Sequence, residues 1–338
     1  MISRRQPGLE INKLYKRISE IIDDNSDFLI ITHAYPDGDS LGSQIALYKL
    51  ISLLKKNAAV ICNSELPYQY KFLPYLDKIG KDLKEIKDYG KGYVCICLDC
   101  ADEFRMNLDF KVLKSNVKYI INIDHHKNNS NFGDLNIVDT GKSATAEILY
   151  ELIQKHYPEL IDHEIALGIY VGILTDTGKF QYSNTNYAVH KAVSELLKFN
   201  INPSRIYKHI YENEPLARFK LIRLILQRIE YVDSSGLIYS YVLEKDFKKL
   251  DLPFSAQDGV INLLRSAEKV KIAALIKQTA GKCYKISLRT SDKDIDLFRI
   301  ASSFNGGGHR MASAYSDNGS LRTVINNLKK AVIDNIKL

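Results

Sequence analysis

The chain has 338 residues, 45% hydrophobic and 26% charged, which is the balance of an ordinary globular protein and length enough for two domains. No stretch approaches the roughly 18 consecutive apolar residues of a membrane span, and no apolar signal core follows the basic start Met1 to Arg5, so a cytoplasmic protein is expected. A net charge of +7 and a pI near 8.9 suit a polyanionic substrate such as a nucleotide, but suit a merely lysine-rich surface equally well.

Along the first half, short β-rich runs alternate with helical patterns. Phe28 to Thr32 reads as a buried strand, Leu41 to Leu54 as a helix, and Val60 to Cys62 as a short strand. Tyr93 to Leu98 and Tyr119 to Ile123 read as further strands, and Ile165 to Leu174 as a buried helix. This alternation predicts an α/β fold with a mainly parallel sheet flanked by helices. From Tyr187 to Gln227 the pattern is helical, broken at Asn202-Pro203. A hairpin is expected over Ile229 to Val242, around Ser234-Ser-Gly236, then a helix over Ala256 to Ser266. Strands over Val270 to Ile276 and Cys283 to Leu288 and an amphipathic helix over Leu321 to Ile336 complete a smaller α+β domain. The expected organisation is a first domain over 1–190, a helical linker over 191–215 and a second domain over 216–338. Arg205, Lys208, Arg218, Lys220, Arg223 and Arg228 make the linker region basic, either for phosphate attraction or as a solvated helix face.

The five cysteines argue against a disulfide framework. Cys95, Cys97 and Cys100 cluster, but Cys95 and Cys97 alternate along an apolar run and so share one face of a strand. They read as structural rather than as zinc ligands.

Four segments place an acid or an imidazole just past an apolar run: His33, Asp37 and Asp39 after the first strand, Asp99 after the third, Asp124-His125-His126 after the fourth, and Asp176 after the buried helix. Ligands of open parallel sheets gather at the carboxyl ends of strands, so these groups are expected to converge. Clustered carboxylates repel one another unless a cation compensates them. Mixed imidazole and carboxylate donors suit Mn²⁺, Zn²⁺ or Fe²⁺ better than Ca²⁺. Six donors exceed the needs of one catalytic ion and fit a pair about 3.5–4 Å apart, which would activate a shared water and neutralise phosphate oxygens.

The ordered set His33-x3-Asp37-x-Asp39-x2-Gly42, Asp99, Asp124-His125-His126 and Thr175-Asp176-Thr177-Gly178 resembles the four motifs of the DHH phosphoesterase superfamily. Asn305-Gly306-Gly307-Gly308-His309 resembles the signature of its associated DHHA1 domain, with Asn305 where close relatives often carry glycine. The resemblance implies two Mn²⁺ ions per active site. One would be held by His33, Asp37 and Asp99, the other by Asp39, Asp99, His125 and Asp176, with Asp99 bridging. His126 would face the substrate phosphate as a catalytic donor or leaving-group acid, and Asp124 would orient a neighbouring histidine. Arg289 resembles the family's substrate-binding arginine; with Gly306, Gly307, Gly308, His309 and Arg310 it would clamp a nucleotide in a cleft between the domains.

Family pyrophosphatases lack the glycine-rich motif, and the processive exonucleases are much longer. A compact chain of this type resembles the bacterial phosphodiesterases of short oligonucleotides and cyclic dinucleotides. The expected substrates are cyclic di-AMP, its linear dinucleotide or very short RNA, with no long duplex and no membrane partner. The oligomeric state is not readable from the residues, and the resemblance is compatible with a homodimer. A phosphatase acting on 3′-phosphoadenosine 5′-phosphate is a close variant. A non-catalytic nucleotide sensor would predict a lost donor, and none is missing. A nucleic-acid-binding module would predict aromatic stripes beside basic strands, and no clear stripe stands out.

Overall fold

A computed structural model describes residues 7–85 and 92–336; the basic start Met1 to Arg5 lies outside the described residues. The chain divides into two compact units, Met1–Asn213 and Glu214–Leu338. Among the described residues no helix is long and apolar enough to cross a membrane.

The first unit runs α1 (Pro7–Asp24), β1 (Asp27–Thr32), α2 (Gly38–Leu53), β2 (Asn57–Ile61), β3 (Ile79–Gly80), β4 (Val94–Leu98), α3 (Phe110–Asn116), β5 (Tyr119–Asp124), β6 (Leu135–Val138), α4 (Thr145–His156), α5 (His163–Asp176), α6 (Tyr187–Leu196) and α7 (Pro203–Tyr211). Its strands pair in the order β3-β2-β1-β4-β5-β6, and every pairing is parallel. Helices cover both faces, which is why the central strands are apolar without alternation. Phe28 and Ile30 of β1 and Ile96 and Leu98 of β4 pack with α2, α4 and α5. Leu29 and Ile31 enter a second core with Cys95, Cys97, Met106 and Leu113. Cys95 and Cys97 thus share one face as expected, their sulfurs 3.7 Å apart and buried. The direction of winding reverses between β1 and β4, which opens a crevice at their carboxyl ends.

Helix α2 starts three residues earlier than its apolar pattern suggests. Asp37 caps it: Oδ1 accepts from the N–H groups of Asp39 and Ser40 at 3.0 Å, and Ser40 Oγ accepts from the Asp37 N–H at 2.9 Å. Helices α2 and α5 then run backbone against backbone. A Cβ on Gly42 would lie 2.2 Å from the Gly168 carbonyl oxygen, and one on Gly168 would lie 2.4 Å from that of Gly42. The seam brings the start of α2 beside the end of α5, where Gly38 meets Thr175.

The second unit runs α8 (Leu216–Gln227), β7 (Glu230–Val232), β8 (Leu237–Val242), α9 (Glu244–Leu250), α10 (Val260–Arg265), β9 (Ile272–Ala280), β10 (Cys283–Thr290), α11 (Leu297–Ser302), β11 (Gly307–His309), β12 (Ala312–Asn318) and α12 (Leu321–Ile336). Its sheet, ordered β11-β12-β10-β9-β8-β7, is antiparallel except for the β8–β9 pair. Central β9 is buried on both sides: Ile272, Ala274 and Ile276 face one core, Ala273 and Leu275 the other. The helix expected over 256–266 is divided, because Gly259 takes φ 82° between a short 3₁₀ turn and α10. Of the basic residues near 205–228, Arg228 forms a two-pronged pair with Asp246 and Arg218 bonds the carbonyls of Ala256 and Asp258, so both serve the fold.

Candidate metal centre

The acids and histidines converge at the carboxyl edge of the parallel sheet. His33 follows β1, Asp37 and Asp39 open α2, Asp99 follows β4, Asp124 ends β5 with His125 and His126 behind it, and Asp176 ends α5. Donor atoms fall into three overlapping groups, each within 4.8 Å: His33 with Asp37 and Asp99; Asp39 with His125 and Asp176; and Asp99 with His125 and His126. Asp99 belongs to two groups, as does His125. The nearest approaches are His33 Nε2 to Asp99 Oδ2 at 3.4 Å, His125 Nε2 to Asp176 Oδ2 at 3.1 Å, and His125 Nε2 to Asp99 Oδ1 at 3.6 Å.

Each donor is fixed by its backbone surroundings. Asp99 takes a left-handed backbone (φ 60°), a conformation that aspartate tolerates better than most residues, while its N–H extends the ladder to the Ile123 carbonyl at 3.0 Å. His33 donates Nδ1–H to the Ala34 carbonyl at 2.9 Å, which leaves Nε2 as its donor atom. Asp39 is fully buried and caps α4 from a distance: Oδ2 accepts from the Thr145 N–H at 2.7 Å and Oδ1 from the Ala146 N–H at 2.8 Å. Asp37 and Asp39 therefore sit at helix starts, which favour negative charge, whereas Asp176 sits at a helix end, which favours a cation. His126 Nδ1 lies 2.7 Å from Asp124 Oδ1, and the other Asp124 oxygen accepts from Asn129 at 2.6 Å. This leaves Nε2 of His126, on a half-buried ring, as its outward nitrogen.

The electrostatics of the cluster are those of mutually repelling acids bordered by histidines. Burial and the charges of Asp99 and Asp176 push Asp39 well above the usual carboxylate range. Burial disfavours the charged ring of His33, but bonding to Asp99 outweighs it and raises His33 to about 9. The same contest, won by Asp176, Asp39 and Asp99, raises His125 to about 10. Asp39 is pushed towards its protonated form while Asp99, despite its burial, is held ionised by the surrounding histidines, and a divalent cation would relieve the repulsion among these acids, so the residues fit a divalent metal pair.

This predicts a signed pH effect. Both histidines have folded values above the ordinary 6.5, so in metal-free protein their stabilisation is complete below pH ~6.5 and is lost as pH rises through about 9 and 10. Metal needs the neutral rings, so its affinity runs the other way and weakens as pH falls. Titrating Mn²⁺ into weakly buffered protein at pH 7 is expected to release at least two protons, from His33 and His125, read by a pH indicator. Metal uptake without proton release would contradict it.

Thr145 and Asn129 were not apparent in the sequence as site residues. Thr145 Oγ1 donates to Asp99 Oδ1 at 3.1 Å in addition to its backbone bond to Asp39. Ser143 and Thr145 ahead of the helical apolar spacing Ile148, Leu149, Leu152, Ile153 form a helix-start signature that could have located α4.

In the second unit Arg289, Ala312 and His309 stand in one cross-strand row: Arg289 pairs with Ala312 across β10 and β12, and Ala312 pairs with His309 across β12 and β11. Residues opposed in this way lie on the same side of a sheet. Gly306, Gly307 and Gly308 lead into and form β11, an edge strand, rather than an open turn. Gly308 needs to be glycine, with φ 134° and a would-be Cβ 2.5 Å from the Ala312 carbonyl oxygen. His309 and Arg310 are exposed.

The first unit matches the N-terminal domain model of the DHH family over residues 27–173, and the second matches the DHHA1 domain over residues 235–337. A bifunctional oligoribonuclease and PAP phosphatase NrnA of Thermus thermophilus is 29% identical over 83% of this chain and 81% of its own length. A cyclic-di-AMP phosphodiesterase GdpP of Bacillus subtilis is 22% identical over 93% of this chain but only 49% of its own. The crystal structure of an exopolyphosphatase-related protein from Bacteroides fragilis superposes with a TM-score of 0.87, at 25% identity over 96% of each chain. Fold, donor cluster and relatives together define a hydrolase of phosphoester bonds. The chain belongs to the DHH family and carries its DHHA1 domain.

Proposed function

We propose that this chain is a two-metal phosphodiesterase that cuts very small nucleotides: cyclic di-AMP, its linear dinucleotide pApA or RNA of a few residues. The convergence of six donors from four separate segments on one sheet edge, linked through Asp99, carries this reading. His33, Asp37 and Asp99 would hold one Mn²⁺ and Asp39, Asp99, His125 and Asp176 the other. When bound, such a pair supplies a hydroxide near neutral pH and neutralises phosphate charge.

The chain's own residues supply the rest. Asp124 orients His126 through the 2.7 Å contact and, as the largest cause, raises its proton affinity. His126 is thereby biased towards its protonated form, suited to bond a phosphate oxygen and pass its proton to the departing oxygen. Thr145 steadies Asp99, and Asn129 steadies Asp124. The row of Arg289 and His309, with the exposed Arg310 beside it, supports a phosphate-binding role for the second unit. The names of the relatives support both halves of the substrate range. The NrnA name also favours 3′-phosphoadenosine 5′-phosphate as a second substrate, since a terminal phosphate presents the same chemistry.

The test is a parallel turnover assay with Mn²⁺ on cyclic di-AMP, pApA, a five-residue RNA and 3′-phosphoadenosine 5′-phosphate. Mononucleotide products from at least one are expected, and Arg289→Ala or His309→Ala should raise KM by about tenfold, the scale of one charge-assisted contact. No turnover of any of the four would reject the reading, and unchanged KM and kcat in both variants would reject the clamp.

A further inference from the structure

We propose that Tyr35 and Phe104 form an aromatic rim beside the acid–imidazole cluster and stack on a nucleobase of the substrate. The proposal rests on the nucleotide reading above and adds a recognition element outside the donor set.

Tyr35 is 86% exposed and Phe104 83% exposed, the two most exposed large hydrophobic side chains among the described residues. Both belong to the loops that deliver donors. Tyr35 lies midway between His33 and Asp37, and Phe104 lies in a short 3₁₀ turn, Glu103–Met106, on the segment that begins with Asp99. A backbone bond joins the two loops where the rings emerge: the Ala34 N–H donates to the Arg105 carbonyl at 2.7 Å. Tyr35 directly follows the donor residue of that bond, and Phe104 directly precedes its acceptor. Two more bonds hold the region. The Tyr35 N–H donates to Ser64 Oγ at 2.8 Å, and Asn63 donates to the Asn107 carbonyl at 2.9 Å. The rings are therefore carried on anchored backbone.

An aromatic ring left in water forgoes the burial that usually justifies its place in a fold. Two such exposed rings, on bonded segments that also carry the donor residues of a phosphate-cutting site, would offer an apolar surface to whatever is attached to the phosphate. Nucleobases suit such a surface, and stacking tolerates any of them because each has a π-face. A base within a duplex has both faces covered by its neighbours, so the rim takes an unpaired base. The ligand class is thus the base of a short single-stranded or cyclic nucleotide, positioned by stacking rather than by hydrogen-bond readout.

The experiment compares kcat/KM for pApA with that for an analogue in which a base is replaced by an abasic tetrahydrofuran, using wild type, Tyr35→Ala, Phe104→Ala and the conservative Tyr35→Phe and Phe104→Tyr. Each alanine variant is expected to lower the pApA-to-abasic preference about tenfold, through KM rather than kcat, while the conservative variants keep it. Wild-type turnover of pApA with an unchanged preference in both alanine variants overturns the rim and leaves the proposed function standing. If wild type turns over no nucleotide, the proposed function fails first. The rim is then judged by the fluorescence of a 2-aminopurine dinucleotide: quenching by wild type that both alanine variants lose supports it, and quenching that they retain rejects it.

Discussion

Replacing Asp99 by asparagine is expected to lower kcat/KM on the preferred nucleotide by about a thousandfold or more, equivalent to at least about 4 kcal/mol of transition-state stabilisation. Asp99 faces His33 at 3.4 Å and both His125 and His126 at 3.6 Å, so one charge serves three rings. Asparagine is the informative replacement, because it accepts the left-handed backbone at φ 60° and can still receive the Thr145 hydroxyl. Alanine would remove the same charge but add roughly 1 kcal/mol of backbone strain, confusing chemistry with folding. Bound metal, measured by elemental analysis, should fall together with activity. An Asp99→Asn protein with wild-type turnover and wild-type metal content would remove Asp99 from the centre of the mechanism.

The largest effect on stability is expected from Gly42→Ala. The new methyl would lie 2.2 Å from the Gly168 carbonyl oxygen and 3.1 Å from the Gly172 nitrogen, both backbone atoms that no rotamer change can clear. Overpacking of this kind costs about 3 kcal/mol, which lowers Tm by about 6–12 °C in a domain of this size. The same separation moves Asp37 and Asp39 away from Asp176, so added Mn²⁺ should rescue the variant less than it raises the wild-type Tm. Thermal unfolding followed by circular dichroism, with and without Mn²⁺, reads both effects. A Tm within about 1 °C of wild type would show that the helices part at no cost and that the seam does not set the site.

Much of this arrangement is visible in the chain before it folds. Strands β1, β4 and β5 announce themselves as apolar runs because both sheet faces are covered, and the donors stand at their ends. Helix α1 is not among the expected elements, although Ile11, Tyr15, Ile18 and Ile22 stand at helical spacing. Other features have no local signature. Asp39 caps a helix that begins more than a hundred positions later, a pairing that exists only after the sheet has assembled. The helix expected over 256–266 fails at Gly259, where backbone freedom overrides apolar spacing. Strand β12, with Ser313, Ser316 and Asp317 among its residues, is held by its neighbours β10 and β11 more than by its own propensity. Tyr35 and Phe104 are unremarkable as letters, since only the bond between Ala34 and Arg105 joins the segments that carry them.

The bonds from Thr145 and Ala146 to Asp39 also bear on the timing of catalysis. Both carboxylate oxygens are already aimed by main-chain amides, so as a metal donor this side chain would not need to search among rotamers when an ion arrives or departs. The entropy of ordering it, under about 1 kcal/mol for so short a side chain, is settled once during folding. Oδ1 also accepts the Ser43 hydroxyl at 3.3 Å, whereas Oδ2 accepts the Thr145 amide and keeps a second lone pair that a cation could share without displacing it. Ion exchange at this corner would then proceed at the pace of water release rather than of protein rearrangement.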